Sequence, residues 1–289
     1  MKDITAGTKK LGIIGCPVEH SFSPVMHNYI SERMGADYVY AGYHVEPENI
    51  GDAVRGMRAL GISGMNVTAP HKRAVMEYLD ETDGRAQRLG SVNTIVNRGG
   101  VLKGYNTDSD GFYMALDKAG IAVNGKHILV IGCGGVVRPT LIRLIEAEPE
   151  TVTVINRTAS KAEALTEALR CETGFEIKTE IDRSSFDIVI NTTSAGMEPQ
   201  ENVLPTDSIS GVNVLELINE NTAAVDMIYN PPKTRFLAEA EKRGAKILNG
   251  LDMLIYQGLI AYELFTGIKL PDDMAELIRR DVFGAERGV

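Results

Sequence analysis

A glycine-rich turn between an apolar strand and a helix is the feature that most constrains how this chain folds. The segment 127–132 (HILVIG) is an apolar run of strand length, Gly134 and Gly135 complete the turn, and a helical pattern covers 135–146. This order is typical of a dinucleotide-binding βαβ unit, in which the helix N-terminus meets a pyrophosphate. A purely structural turn is the alternative, because Val137 occupies the third glycine position of the GxGxxG pattern.

The end of the next predicted strand, 151–156, indicates which dinucleotide would bind. An NAD site usually has an acidic residue there to bind the ribose 2′-hydroxyl. This chain has Asn156, Arg157 and Thr158, with Lys161 one helical turn later. Hydrogen-bond donors and positive charge suit a 2′-phosphate, so the sequence predicts NADP(H). A solvated surface arginine is the alternative interpretation of Arg157.

Strands and helices alternate along both halves of the chain, which predicts an α/β fold with mostly parallel sheets. The length of 289 residues suits two domains. Candidate domain limits lie near Asp110 and Gly250. The other predicted strands are 11–15, 38–45, 62–68, 92–97, 101–105, 186–191 and 223–229. Helices are predicted to begin near Ser23 and Pro47 and to cover 71–79, 159–170, 251–265 and 272–283.

Two serines follow the first strand. Residues two apart in an extended segment point the same way, so the hydroxyls of Ser21 and Ser23 can bind a carboxylate together. Ser23 also precedes Pro24, which is typical of a helix start with serine as the N-cap and proline at the first helical position. The spacing alone does not separate carboxylate binding from capping.

A lysine follows the third strand, at the end of the segment 66–72 (NVTAPHK). Ligands of open α/β sheets bind beyond the carboxyl ends of strands, and Lys72 there can donate a proton to a carbonyl oxygen. Asp108, after a later strand, is predicted to orient Lys72 and keep it protonated. The simpler alternatives are a surface charge for Lys72 and a helix N-cap for Asp108.

Composition excludes several classes of function. A net charge of −9 repels nucleic acid and anionic lipid, so we expect neither a nucleic-acid nor a membrane partner. No run approaches the ~20 apolar residues of a spanning helix, and two lysines interrupt any signal peptide, which predicts a cytoplasmic protein. The three cysteines form no CxxC pair and the histidines show no metal-binding spacing, so no metal is expected. The histidines are His20, His27, His44, His71 and His127.

Nine segments, in order along nearly the whole chain, resemble the shikimate dehydrogenase family. They are GCPVEHSFSPVMHN (15–28), NVTAPHK (66–72), GSVNT (90–94), GYNTD (104–108), GCGGVVR (132–138), NRT (156–158), NTTSAGM (191–197), DMIYNPPKT (226–234) and GLDMLIYQG (250–258). Each is weakly specific, but nine in sequence are very hard to obtain by chance. The chain departs from the family at the phosphate turn, where GCGGV replaces the frequent GAGGA.

The resemblance implies a two-domain enzyme with its active site in an interdomain cleft, which reduces 3-dehydroshikimate to shikimate with NADPH on the route to aromatic amino acids. The substrate domain would comprise 1–110 plus 251–289, and a Rossmann-type NADP-binding domain would comprise 111–250. Lys72 and Asp108 would be the catalytic pair. The implied substrate-binding residues are Ser21, Ser23, Asn66, Thr68, Asn93, Tyr229 and Gln257. The implied cofactor-binding residues are Gly132, Gly134, Gly135, Asn156, Arg157, Thr158, Lys161, Thr192 and Gly250.

Three alternatives stay open, and a homodimer is compatible with all of them. A quinate/shikimate dehydrogenase with relaxed or NAD cofactor use would be favoured by an acid in place of Arg157. A folate-linked dehydrogenase is opposed by the paired serines and by Asp108. A non-catalytic ligand-binding relative would be expected to lack the pair of Lys72 and Asp108, and both are present.

Overall fold

The computed structural model describes residues 3–284. The chain divides into two compact units, each with its own six-stranded sheet. Of the described residues, unit 1 contains 3–111 and 255–284, and unit 2 contains 112–254. These observations confirm the predicted mixed α/β class.

The strands and helices are numbered in chain order. The strands are β1 (Lys9–Gly15), β2 (Tyr38–His44), β3 (Gly64–Val67), β4 (Glu81–Thr82), β5 (Thr94–Arg98), β6 (Val101–Tyr105), β7 (His127–Ile131), β8 (Thr151–Ile155), β9 (Ile177–Lys178), β10 (Ile188–Asn191), β11 (Ala223–Asp226) and β12 (Lys246–Leu248). The helices are α1 (Ser23–Arg33), α2 (Ile50–Ala59), α3 (Gly84–Leu89), α4 (Asp108–Lys118), α5 (Val137–Ile145), α6 (Ala159–Thr173), α7 (Arg235–Glu241), α8 (Leu251–Thr266) and α9 (Met274–Asp281). Short 3₁₀ helices cover Pro47–Asn49, Ala74–Tyr78 and Val214–Leu217.

The sheet of unit 1 is mixed, with strand order β2-β1-β3-β5-β6-β4. β1 pairs in parallel with β2 and β3, and β5 pairs antiparallel with β3 and β6. The predicted strands 92–97 and 101–105 appear as β5 and β6, and the hairpin that they form turns at Gly99 and Gly100, which have φ of +61° and +94°. Positive φ is readily adopted only by glycine, so this pair ends one strand and starts the next.

The last helices complete unit 1. The ring of Phe265, on α8, lies so close to Gly64 of β3 that a Cβ there would be 2.1 Å from a ring carbon. The guanidinium of Arg98 donates to the backbone oxygens of Leu264 and Phe265 at 2.8 and 2.9 Å. The end of α8 is therefore joined to this sheet by both apolar packing and hydrogen bonds.

The sheet of unit 2 is parallel throughout, with strand order β12-β11-β10-β7-β8-β9. β7 lies at the centre, and the chain leaves it on one side for β8 and later returns on the other side as β10. A ligand of such a doubly wound sheet binds where the strand order reverses, at the carboxyl ends of the central strands. The glycine-rich turn follows β7 at that position.

Some local predictions were wrong. The segment predicted as a helix over 71–79 forms only a 3₁₀ helix at Ala74–Tyr78. The N–H of His71 donates to the backbone oxygen of Thr68 at 3.0 Å, so the first residues of the segment belong to a turn. Short elements such as β4, β9 and α3 have too few residues to show a period and were not predicted. Within residues 3–284, no helix combines the length and apolar character needed to cross a membrane.

Candidate active site

Lys72 and Asp108 form an ion pair in unit 1. Lys72 follows β3, and its Nζ donates to Oδ2 of Asp108 at 2.7 Å. The two side chains are 27% and 17% exposed, so the pair is partly shielded from water yet still reachable. The backbone oxygen of Lys72 accepts from the N–H of Val92 at 2.8 Å, which fixes the start of this side chain. Lys72 is thus a held cation rather than a solvated surface charge.

Asp108 is the first residue of α4. Its Oδ1 accepts from Nδ2 of Asn93 at 2.8 Å, so each carboxylate oxygen has a partner. The backbone N–H of Asp108 donates to Oδ1 of Asn106 at 3.1 Å. Asn106 rather than Asp108 therefore serves the start of the helix, which leaves the carboxylate of Asp108 to orient Lys72.

Asn93 is buried, and its amide is held on both sides. Its Oδ1 accepts from the N–H of Thr107 at 2.8 Å and from Oγ1 of Thr94 at 2.9 Å. Its Nδ2 donates to Oγ1 of Thr107 as well as to Asp108. These contacts aim the amide nitrogen at the Asp108 carboxylate. A direct contact between Asn93 and substrate stays a prediction.

Tyr40 lies beside two of the predicted substrate residues and was not found from sequence. Its hydroxyl donates to Oδ1 of Asn66 at 2.7 Å, and the side chain of Ser23 lies close enough to act on its pKa. Burial raises the pKa of Tyr40 well above its usual value, so it stays a neutral hydroxyl. Tyr40 occupies a position in β2 that the strand pattern assigns to the core. The sequence therefore does not distinguish it from an ordinary buried residue.

Ser23 is not the N-cap of α1, so that prediction was wrong. Phe22 is the N-cap, no side chain caps this end, and Ser23 is the buried first residue of the helix. The helix begins one residue early because Phe22 already has helical φ and ψ of −81° and −8°. The N–H of Ser23 donates to Oγ of Ser21 at 3.3 Å, which places both serines at the start of α1.

Thr68 and Gln257 lie in different parts of unit 1. Thr68 is half-buried and packs over Gly15, where a Cβ would be 2.3 Å from its methyl carbon. Gln257 is half-buried on α8, and its backbone nitrogen would be 2.6 Å from a Cβ at Gly111. Glycine at both positions allows these close approaches.

Unit 2 has a cavity of about 410 Å³ at the carboxyl ends of its central strands. Gly132 has a φ of +116°, and a Cβ there would lie 2.5 Å from Oγ1 of Thr192, so only glycine fits. A Cβ at Gly134 or Gly135 would meet nothing within 4 Å, which shows open space beside the turn. The predicted residues that line the cavity are Gly132, Gly134, Asn156, Arg157, Thr158, Lys161 and Thr192.

The walls of this cavity differ in character. Arg157 and Lys161 are exposed, and within residues 3–284 the side chain of neither forms an ion pair or a hydrogen bond. Asn156 holds the turn between them by donating to the oxygen of Thr158 at 2.9 Å. The apolar lining residues include Val203, Leu204, Pro205 and Ile209. Two uncompensated cations beside an apolar wall and a glycine turn fit a phosphorylated dinucleotide.

Gly135, Tyr229 and Gly250 do not line this cavity. Tyr229 is half-buried in unit 2, and burial raises the pKa of its hydroxyl. A Cβ at Gly250 would lie 2.2 Å from the backbone oxygen of Met227, and its N–H donates to Ile228 at 3.0 Å. Gly250 therefore allows the chain before α8 to pass close to the segment that follows β11.

Three family models match this chain. The model described as the shikimate dehydrogenase substrate binding domain matches residues 13–95, the one described as shikimate / quinate 5-dehydrogenase matches 114–223, and the shikimate 5′-dehydrogenase C-terminal domain matches 250–280. The chain belongs to the shikimate dehydrogenase family. This confirms the resemblance seen in the nine segments.

Individual relatives of this family agree along almost the full length. The shikimate dehydrogenase (NADP(+)) of Geobacillus kaustophilus is 45% identical over 263 residues, which are 90% of this chain and 93% of the relative. A solved shikimate dehydrogenase in complex with NADP+ is 41% identical, with a TM-score of 0.87 and 95% of each chain covered. The Thermus thermophilus enzyme in complex with NADP(H) and shikimate is 37% identical, with a TM-score of 0.81, covering 94% of this chain and 99% of its own.

Two of the family segments meet around Asp226 in unit 2. This buried carboxylate accepts from Asn191 Nδ2 at 3.0 Å, from Thr234 Oγ1 at 2.6 Å and from the N–H of Ile228 at 3.0 Å. Burial raises its pKa to about 6 despite these donors. Asp226 thus connects the NTTSAGM and DMIYNPPKT segments at β10 and β11. These hydrogen bonds give Asn191, Asp226 and Thr234 a structural role.

Proposed function

We propose that this member of the shikimate dehydrogenase family reversibly reduces 3-dehydroshikimate to shikimate with NADPH. The observation that carries this proposal is the ion pair of Lys72 and Asp108, supported by Asn93, at the ends of the unit 1 strands. A relative named for NADP-dependent shikimate dehydrogenase activity is 45% identical to this chain. The corresponding pathway role is aromatic amino acid biosynthesis, through chorismate.

Bound NADPH supplies the hydride that reduces the ring ketone. Lys72 Nζ donates a proton to the ketone oxygen as negative charge develops on it. Asp108 orients the ammonium through its 2.7 Å hydrogen bond, and Asn93 holds the carboxylate in place. In the reverse direction, the same amine accepts the proton from the ring hydroxyl. The main contribution of the chain is thus orientation and charge.

The substrate residues are proposed from the family motifs and, apart from Tyr229 in unit 2, from their positions in unit 1. Ser21 and Ser23 bind the ring carboxylate at the start of α1, where the Ser23 N–H donates to Oγ of Ser21. The other proposed contacts to the ring are Asn66, Thr68, Asn93, Tyr229 and Gln257.

The cofactor residues are proposed from the cavity of unit 2. The glycine turn after β7 approaches the pyrophosphate, and the adjacent start of α5 provides backbone N–H groups. Arg157 and Lys161 bind the 2′-phosphate, while Thr192 lines the same cavity. Gly250 supports the site by letting the backbone pass close to Met227.

Initial rates with shikimate or quinate, each with NADP⁺ or NAD⁺, test this function. We expect the highest kcat/KM for shikimate with NADP⁺. A preference for quinate or NAD⁺ would instead favour the quinate/shikimate dehydrogenase, an activity that the shikimate / quinate family model includes. A cytoplasmic location and a homodimer are further proposals, and light scattering after gel filtration tests the dimer.

A further inference from the structure

Cys16, His44 and Glu46 form a cluster that the proposed reaction does not use. Gly15, at the end of β1, pairs with His44, at the end of β2, so the two chains leave the sheet side by side. Cys16 follows the first strand directly, and Glu46 lies two residues beyond the second. Cys16 and His44 are 28 positions apart in the sequence, so no local sequence pattern reveals the cluster.

The donor atoms have the spacing of ligands around one tetrahedral ion. Cys16 Sγ lies 3.5 Å from His44 Nε2 and 3.3 Å from Glu46 Oε2, and His44 Nε2 lies 3.2 Å from Glu46 Oε1. Zinc bonds of about 2.0–2.3 Å at tetrahedral angles place sulfur and nitrogen, or sulfur and oxygen, about 3.5 Å apart, and nitrogen and oxygen about 3.3 Å apart. The two distances to Glu46 involve different oxygens of its carboxylate, and one ligand atom from each of the three residues lies within 4.8 Å of the other two. A small rotation of the carboxylate would therefore bring one oxygen to the zinc spacing.

Glu19 gives the histidine the support that metal-bound imidazoles have. Its Oε1 lies 2.7 Å from His44 Nδ1, and its Oε2 accepts from the N–H of Val18 at 2.9 Å. A carboxylate on Nδ1 directs the lone pair of Nε2 toward Cys16 and Glu46 and raises its strength as a ligand. This arrangement of carboxylate, histidine and ligand set recurs in zinc proteins.

The cluster is also accessible to an ion from solvent. The side chains of His44 and Glu46 are 41% and 53% exposed, and Cys16 is partly exposed. Thiolate, imidazole and carboxylate together select a borderline ion such as Zn²⁺ over Mg²⁺ or Ca²⁺. Water completes the fourth position.

We propose that Cys16, His44 and Glu46 bind one Zn²⁺ ion, with Glu19 as the positioning residue for His44. Binding forms three bonds to the ion and releases the Cys16 thiol proton, and any proton on His44 Nε2, to solvent. No oxidation or reduction is involved. The bound ion joins the exit of β1, which leads to Ser21, to the exit of β2. This inference is independent of the proposed enzymatic function.

The test uses the full chain after chelation and dialysis. Isothermal titration with ZnCl₂ is expected to give one site per chain, and CoCl₂ is expected to produce the sulfur-to-cobalt charge-transfer absorption of a thiolate ligand. Cys16→Ser should remove this absorption, whereas Cys171→Ser, at an exposed cysteine on α6, should retain it. Glu19→Gln keeps all three ligands and should weaken binding by about 10–100-fold.

The outcomes separate a zinc site from a simple hydrogen-bonded cluster. No binding by a wild-type chain with normal circular dichroism would overturn the proposal. Equal binding by wild type, Cys16→Ser and His44→Gln would also overturn it, because the ion would then lie elsewhere. Thermal stabilisation by Zn²⁺ in wild type and Cys171→Ser, but not in Cys16→Ser, would support it by a readout that needs no activity.

Discussion

Lys72 depends on its neighbours for its place in the proposed reaction. A lysine on an open surface samples many rotamers, and ordering its side chain costs conformational entropy. Here the Asp108 carboxylate holds the ammonium, and the buried Asn93 amide holds the carboxylate. The proton donor is thereby positioned before substrate binds, which reduces the entropy lost on the way to the transition state.

Lys72→Ala should lower kcat by roughly 10²–10⁴-fold, because that is the usual contribution of a positioned general acid. The KM for shikimate should change much less, since the proposed carboxylate contacts lie at Ser21 and Ser23. Steady-state kinetics measures both, with circular dichroism to verify the fold. Lys269→Ala is the control, because that lysine is 89% exposed and should retain wild-type activity. Near-normal turnover in Lys72→Ala would remove Lys72 from the role of proton donor.

Arg157→Ala should weaken NADPH binding by about 10–150-fold, the range expected when a hydrogen-bonded charge pair worth about 1.5–3 kcal/mol is lost. NADH lacks the 2′-phosphate and should bind nearly as it does to wild type. Fluorescence titration with each cofactor measures the two constants. Arg170→Ala, which removes an arginine paired with Glu167 on α6, should leave both unchanged. Equal losses for both cofactors would show a structural arginine instead.

Besides the serines at its start, helix α1 contributes a buried histidine to the core of unit 1. Its inner face buries His27, whose ring stacks on Tyr40 with a centroid distance of 4.3 Å and an interplanar angle of 2°. Within residues 3–284, neither ring nitrogen of His27 has a hydrogen-bond partner. Burial lowers the pKa of His27 from 6.5 to about 3, so the folded protein contains the neutral ring.

Because the pKa of His27 is lowered in the folded state, the free energy of unfolding should decrease in acid. His27→Phe should reduce this dependence on pH. The folded state disfavours the protonated ring, so the stability present above pH 6.5 is lost as the pH falls toward 3. At pH 5.5 the loss is about 1.4 kcal/mol relative to pH 8, because the unfolded chain is then mostly protonated at this residue. Urea unfolding at both pH values should show a smaller decrease for His27→Phe than for wild type. Identical pH dependence in both proteins would contradict the assignment.

Unit 1 is built from two segments that are far apart in sequence, residues 3–111 and 255–284. Phe265 is fully buried against Gly64, and Arg98 binds the carbonyl groups at the end of α8. Unit 2 consists of one continuous segment with its own apolar core, which includes Leu129, Val189 and Phe236. The core of unit 1 is therefore complete only when the last part of the chain packs on it. The core of unit 2 comes from one continuous stretch of the chain.

A chain that ends at Leu254 should lose the fold of unit 1 but keep that of unit 2. Limited proteolysis with mass spectrometry should find cleavage within residues 3–111 and protection within 112–254. Phe265→Ala is a milder test of the same contact. It should lower the free energy of unfolding by about 3–5 kcal/mol, as expected when a large aromatic side chain is removed from a core. Full protection of residues 3–111 in the shortened chain would show that α8 and α9 are dispensable for this unit.

Local sequence patterns were enough to predict the α/β class, the family, and the polar residues that follow strands. Lys72 and Asp108 were found this way because strand ends of an α/β sheet are where ligands bind, and the strands are visible as apolar runs. Likewise, Gly132 was identified from its place between strand and helix, and its φ of +116° supplies the reason. The fold class and the strand ends were predicted from chain-local periodicity and backbone freedom, whereas the family was recognised from the resemblance of nine motifs.

Contacts between residues far apart in the chain became visible only in the folded molecule. The Tyr40 hydroxyl on β2 donates to Asn66 on β3, and Cys16 lies beside His44. Both contacts follow from the register of β1 against its neighbours, in which Gly15 pairs with His44. A shift of one residue would turn every side chain of a strand to the other face. That register is set by packing summed over the whole sheet, which no local pattern in the sequence contains.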